Sequence, residues 1–280
     1  MERWIASWRQ LAESEMLSLT LVGAGFVLCT AAELALPAEA GQSWSGRLRN
    51  LVFLAIYYGL GLSALATWYA LQPPRSGPPA PADFIEPLWL APAFLFATDF
   101  VYYWYHRAQH RFPSLWAIHE LHHSDAELNV TTSYRAYWLE APLQAIVVAA
   151  PVALVFGRNA PQFAVAVLVI ARVLFLFSHS NVRVPFGPLT AVLCGPQWHR
   201  IHHSRLPQHR DRNFAQYFPV LDWLFGTYYA PTRTEYPPTG TEALASSAPI
   251  WRTQLRPAVI WRERLQAVLQ RASPNLRLDK

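Results

Sequence analysis

The sequence has almost no lysine and almost no cysteine. One Lys stands against 22 Arg. Two cysteines, Cys29 and Cys194, among 280 residues exclude a disulfide framework and a thiolate metal site. Charge is scarce too, at 15% of residues against a usual ~25%. With 52% hydrophobic residues, that scarcity excludes a disordered chain, a coiled coil and a nucleic-acid-binding tail. The net charge of +5 is modest. It reads as basic loops beside a membrane, with no nucleic-acid partner. Internal repeats of 20–50 residues are also missing. Aromatics, by contrast, are plentiful: 12 Trp, 12 Tyr and 15 Phe mark a chain that meets something apolar. The anomaly is ten histidines, all between His106 and His209.

Long apolar runs set the expected architecture. Residues Met1 to Glu15 mix Arg and Glu and do not read as a cleavable leader. Met16 to Leu36 is 21 residues with one late acid, Glu33. At about 1.5 Å per residue it crosses a hydrocarbon layer of ~30 Å. Leu51 to Gln72 is a second uncharged run, and Pro73, Pro74, Pro78, Pro79 and Pro81 then mark a loop. Pro87 to Tyr105 is a third run, ending in Tyr102, Tyr103, Trp104, Tyr105 and His106. Those aromatics suit an interfacial belt or a guide for a lipid chain. Leu139 to Gly157 and Gln162 to Ser178 read as a hairpin that dips into the membrane and returns; a buried soluble hairpin is the bland alternative.

The expectation is an all-α, multi-pass membrane helical bundle. It has three spans plus a membrane hairpin, under a cytoplasmic histidine-rich helical cap. Arginines dominate the histidine side, which the positive-inside rule puts in the cytoplasm; Arg3 and Arg9 weaken that bias. Residues 1–86 form membrane helices and the Pro-rich loop, 87–230 a catalytic domain, and 231–280 a basic, partly amphipathic tail. Within that tail Ile250 to Leu269 suits either a membrane-surface helix or an ordinary solvated helix face. The excess of Arg over Lys hints at a GC-rich bacterial genome, hence a bacterial inner membrane.

His106 and His110 are spaced H-x-x-x-H. His119, His122 and His123 make H-x-x-H-H, and His199, His202 and His203 repeat it. Residues three and four apart share a helix face, so such rings converge on a metal ion. One triplet arises by chance in roughly one chain in a hundred, and two in about one in ten thousand. Eight histidines are too many for one ion; two ions fit, and all-nitrogen ligation suits Zn, Cu, Fe or Ni. Asp99, Tyr103, His106 and His110 form one helix stripe, so Asp99 is placed to accept the free N–H of a ligating histidine. An arginine partner for Asp99 is the alternative. Arg172 in the fifth run pairs internally or snorkels. His209, in P-Q-H-R-D-R, reads as an ordinary core or surface histidine.

These boxes resemble the fatty acid hydroxylase superfamily, the sterol desaturase-like membrane di-iron enzymes. Asp99-Phe-Val-Tyr-Tyr-Trp-Tyr-His106-Arg-Ala-Gln-His110 is similar to the first box. Leu115-Trp-Ala-Ile-His119-Glu-Leu-His122-His123-Ser-Asp is similar to the second. Asn129 to Arg135 follows in the family's order. Phe177-Ser-His179-Ser-Asn181 resembles the histidine segment that leaves the hairpin, and Pro196-Gln-Trp-His199-Arg-Ile-His202-His203 the last box. Asn213-Phe and Leu221-Asp222-Trp-Leu-Phe-Gly-Thr227 resemble the closing signature.

The resemblance, over about residues 87 to 230, implies two Fe ions held by His106, His110, His119, His122, His123, His179, His199, His202 and His203. Asp99 and Asn213 are the candidate supports behind those ligands. It also implies O2 as cosubstrate, a lipid substrate, and hydroxylation, oxidation or desaturation. No haem or flavin segment is visible, so electrons are expected from a separate donor protein. Two departures stand out. Tyr137 and Trp138 occupy the place of a usual His-Pro pair ahead of Glu140, and Ala215 replaces a glycine. Two rival readings remain. His119-Glu120-Leu-His122-His123 also satisfies H-E-x-x-H of a membrane zinc protease, though it leaves the second triplet idle. A metal transporter would place its histidines within the spans rather than at their ends.

Overall fold

The structure is a computed structural model that describes residues 1–71, 90–156 and 161–272. The Pro-rich loop, the start of the third apolar run and most of the hairpin turn lie outside the described residues. Regular structure among the described residues is helical, apart from two isolated bridges, Pro37 with Val182 and Ser204 with Thr239. Ten α-helices follow in order. They are α1 Glu2–Ala35, α2 Trp44–Leu71, α3 Leu90–Arg111, α4 Pro113–His123, α5 Glu140–Gln144, α6 Ala150–Phe156, α7 Pro161–His179, α8 Pro196–His202, α9 Val220–Leu224 and α10 Ile250–Ala272. A π-helical turn, Ala145–Ala149, joins α5 to α6.

Local sequence explains the breaks that matter. Pro113 disfavours helix at Phe112, whose φ and ψ are −103° and 115°, so α3 stops and α4 restarts with proline in its first turn. That corner folds the first histidine helix back on the second. Gly195-Pro196 starts α8 in the same way. A Cβ on Gly195 would come within 2.8 Å of the Phe186 ring, so only glycine admits this approach.

The expected span Met16 to Leu36 is the end of the longer α1. Among the described residues one helix, Trp44–Trp68, is long and apolar enough to cross a membrane, and 17% of its most apolar stretch is buried. Leu19–Ala35, Glu140–Phe156 and Val169–His179 are shorter apolar helices. Leu28, Leu34, Leu71, Leu154 and Val155 are all more than half exposed, while Glu33, Asp99, Arg135 and Glu140 are buried. Water alone does not favour so much apolar surface outside and so much polarity inside.

Buried polar groups tie the long helices to the segments between them. Glu33 on α1 pairs with Arg47 at 2.6 Å and accepts the backbone N–H groups of Val130 and Asn181. Arg135 donates to Leu121 O, Ser124 Oγ, Asn50 Oδ1 and Ser246 O, joining α2, α4 and the carboxyl-terminal segment. The first half of α10 packs on α4: Arg256 pairs with Glu120, and Trp261 donates to Ser114 O. Trp251, Leu255, Leu265 and Leu269 stay exposed. This helix is therefore docked on α4 along one side and leaves apolar side chains exposed along another.

Candidate metal centre

Four short segments supply the histidines. The end of α3 carries His106 and His110, α4 carries His119, His122 and His123, α7 ends at His179, and α8 with its cap carries His199, His202 and His203. They meet in two sets. His106, His110, His119, His123 and His202 form one, and His122, His179, His199 and His203 the other; within each set every ligand atom lies within 4.8 Å of the others. The i, i+3, i+4 triplets explain the split. On α4, His119 and His123 turn to one set and His122 to the other, and on α8 and its cap His202 turns to one set while His199 and His203 turn to the other. The sets adjoin, with the His123 and His203 rings stacked at 4.3 Å.

Proton placement shows why these rings fit cations. A carbonyl or carboxylate oxygen only accepts, so a histidine Nδ1 that meets one carries the proton. His106 Nδ1 donates to Phe214 O at 2.8 Å, and His119 Nδ1 to Glu140 Oε1 at 3.1 Å. His179 Nδ1 donates to Phe175 O at 2.8 Å and His202 Nδ1 to Arg212 O at 2.9 Å. Their Nε2 atoms then present lone pairs. Yet His106 Nε2 and His119 Nε2 lie 3.0 Å apart, with His123 Nε2 at 3.2 Å from the latter. In the second set His199 Nε2 lies 2.9 Å from His179 Nε2 and 3.0 Å from His203 Nε2. Lone pairs facing each other repel unless a cation sits among them. His202 Nε2 and His203 Nδ1 are buried with no hydrogen-bond partner. Burial first, and neighbouring histidines second, hold His122, His123, His199 and His203 well below the ordinary imidazole range; burial does the same for His202. Neutral rings with free Nε2 atoms are what a metal ion takes.

Beside the rings lies a cavity of about 500 Å³. Its wall shows one histidine of each set, His119 and His122. Most of the rest is apolar or aromatic, including Phe94, Val148, Val152 and Phe175, with Glu140 and Arg172 among the polar exceptions. The π-helical turn contributes Ala145, Val148 and Ala149 to this wall.

Residues 91–227 match the family model described as fatty acid hydroxylase. Over that stretch the chain resembles the fatty acid hydroxylase superfamily. It is 36% identical over 139 residues to the alkylglycerol monooxygenase of Homo sapiens, covering 49% of this chain and 30% of that protein. To the alkylglycerol monooxygenase of Danio rerio it is 34% identical over 149 residues, or 53% and 32% of the two chains. To the ornithine lipid hydroxylase OlsE of Rhizobium tropici it is 29% identical over 182 residues, or 63% and 54%. The matched region thus spans about a third to a half of these relatives' lengths. No solved structure matches.

Several residues expected to support the ligands stand elsewhere in this centre. Asp99 meets no histidine nitrogen. Its oxygens accept the backbone N–H groups of Gln216, Tyr217 and Phe218 at 2.7–3.0 Å. The helix stripe put it on the right face, but the loop 214–218 fills the space between. Asp99 therefore acts at one remove, holding the loop whose Phe214 carbonyl orients His106. Asn213 likewise meets backbone: its Oδ1 accepts Tyr229 N–H at 2.8 Å and its amide donates to Tyr229 O. Its φ of 61° suits a turn residue. Arg172 donates to Tyr134 Oη at 2.8 Å, an internal pairing on the cavity wall. His209 is buried between Ser204 and Glu235, apart from both sets. Tyr137, at the departure from the family pattern, packs in a core cluster with Phe53, Ile118, Leu121 and Leu244.

Glu140 was missed as a site residue. It is 3% exposed and accepts from His119, from Gln109 at 2.7 Å and from Tyr105 at 3.1 Å. The available signal was an acid at the head of an apolar run. Glu120, the general base of the zinc-protease reading, is instead engaged by the Arg256 guanidinium in two hydrogen bonds. His119 and His123 share their set with three further histidines, which that reading leaves unexplained.

Proposed function

We propose that the chain is a membrane-bound di-iron oxygenase that hydroxylates, oxidises or desaturates a lipid. The observation that carries this reading is the cavity wall on which His119 of one set and His122 of the other appear together. A lipid chain lying in that cavity would meet one ring from each set that would hold a metal. Nine histidines hold the pair: five in the first set, four in the second. Bound iron supplies the activation of O2 needed to break an unactivated C–H bond; zinc has no redox chemistry. For hydroxylation the balance is one C–H bond, O2, two electrons and two protons, giving an alcohol and water. The electrons come from a separate donor.

The protein's own groups do the rest. The apolar wall excludes water and places the target carbon. Glu140 fixes the His119 tautomer and ring plane, with Gln109 and Tyr105 holding its other lone pairs. The relatives named for acting on alkylglycerols and ornithine lipids support a lipid substrate. Exposed leucines and valines on α1, α2, α6 and α7 support membrane residence, and the arginines on the histidine side favour a cytoplasmic cap beneath three spans and a hairpin. Residues 1–86 then anchor, 87–230 catalyse and 231–280 form a basic, partly amphipathic tail, most simply in a bacterial inner membrane.

Lipid profiling of a host with and without the chain tests this reading. A lipid that gains one oxygen or loses two hydrogens, and vanishes in His122→Ala and His203→Ala variants, is the expected result. An unchanged lipid profile together with proteolysis or metal flux refutes it.

A further inference from the structure

The histidine centre has a second opening. A recess of about 600 Å³ is lined by Arg107, His110, Arg111, Phe112, Asp211 and Phe214, among others. It shares no lining residue with the substrate cavity. The His110 side chain is 10% exposed and lines this recess. Asp211 covers it with Oδ1 at 3.6 Å from His110 Nδ1, yet the Asp211 side chain is 61% exposed. The next residue, Arg212, gives its carbonyl to His202 Nδ1 at 2.9 Å. One exposed loop thus touches two histidines of the five-membered set. Asp211 and Asn213 have φ of 57° and 61°, a left-handed turn that holds this thin cover in place. Around it the charge is one-sided. Arg107 and Arg111 line the recess, Arg210 and Arg212 flank Asp211, and Arg111 and Arg210 are exposed.

We infer that this recess is the electron-entry face, where an acidic one-electron donor protein docks over His110 and the Arg210–Arg212 loop. The inference rests on the di-iron reading. A donor must come close to a metal ligand, and here His110 lines the recess with the exposed Asp211 side chain over it. The surplus of arginine attracts a partner of opposite charge and speeds encounter. Each encounter oxidises the donor by one electron and delivers that electron to the pair; two encounters serve one turnover. Substrate enters by the apolar cavity, so donor and lipid do not compete.

The test uses the full metal-loaded chain in uncharged detergent micelles and reads the rate of metal-centre reduction by stopped flow. The probes are reduced anthraquinone-2,6-disulfonate, which is anionic, and reduced methyl viologen, which is cationic. The anionic probe's rate is expected to fall several-fold as salt rises from about 0.02 M to about 0.5 M, as screening sets in. R111E/R210E flattens or reverses that slope, and R111Q/R210Q gives an intermediate slope. R252E/R264E changes net charge equally on α10 and retains the original slope. Equal slopes in R111E/R210E and R252E/R264E overturn the inference. So does an R111E/R210E chain that loses only binding to phosphatidylglycerol vesicles, which assigns the arginines to a lipid surface. A chain with no reducible metal pair fails at the earlier reading, and metal analysis separates that case from the others.

Discussion

His119 touches everything the site needs: a carboxylate on Nδ1, two other rings at Nε2 and the cavity on its open side. Glu140→Leu strands the Gln109, Tyr105 and His119 donors in a buried place, at about 1–3 kcal/mol for each unpaired group. Metal affinity, measured by chelator competition, is expected to fall 10–100-fold, the usual order for losing such a support. Glu140→Gln keeps an acceptor and is expected to lose less. Equal affinity in Glu140→Leu and the parent chain contradicts the assigned role. Acid gives a second residue-scale prediction, for the metal-free chain. His122, His123, His199, His202 and His203 are held neutral, with pKa values below the ordinary 6.5. Below that value the unfolded chain binds protons that the folded chain refuses. Stability is therefore full above about pH 6.5 and is lost as pH falls toward the folded values, by up to about 1.4 kcal/mol per pH unit for each such histidine. Thermal midpoints of the metal-free protein between pH 8 and pH 5 check this, and a flat profile opposes it. At this scale the grouping of the histidines was legible and the groups behind them were not. Helix spacing put the box histidines on shared faces. The groups that orient them are backbone carbonyls of Phe214, Phe175 and Arg212, and any residue type offers a carbonyl.

Among the elements, the segment Asn213–Phe218 decides how the first set is held. Asp222 accepts from Phe214 N–H, Ala215 N–H and Thr227 Oγ1, and Asp99 accepts from the next three amides. Five amide hydrogen bonds thus fix a short irregular strip whose carbonyl orients His106, and Thr227 steadies Asp222 beside it. Asp222→Ala is expected to cost on the order of 3 kcal/mol and to lower the thermal midpoint. It is expected to weaken metal retention in the five-histidine set more than in the four-histidine set, as step-wise chelation will show. Uniform loss from both sets argues that the strip only braces the fold. The sequence marked Asp99, Asn213 and Asp222 as noteworthy, yet their partners lie in a segment without periodicity. Helix pattern says which way Asp99 points, not which loop arrives to meet it. The corner at Phe112-Pro113 was legible in principle, since proline restricts the residue before it.

For the whole molecule, polarity runs from an apolar exterior to a histidine-rich interior. Leu71 is 76% exposed and Leu154 85%, whereas His203 is 1% exposed. Carbonate extraction of host membranes is expected to leave the chain in the pellet, and release into the supernatant counts against a spanning arrangement. The apolar runs predicted helices because length and composition suffice for that. They did not predict that one of them, Trp44–Trp68, meets the requirements of a full crossing while others are shorter or carry a charged end among the described residues. Span number depends on how a bilayer meets the bundle, which composition alone does not encode.

Metal counting tests the central claim most directly. Two ions are expected, one in each imidazole set, so the purified chain should carry about two iron atoms. His199→Ala, in the four-membered set, should lower that to about one, and His123→Ala in the five-membered set should do the same. A parent chain with a single ion, or variants that retain both, would contradict it.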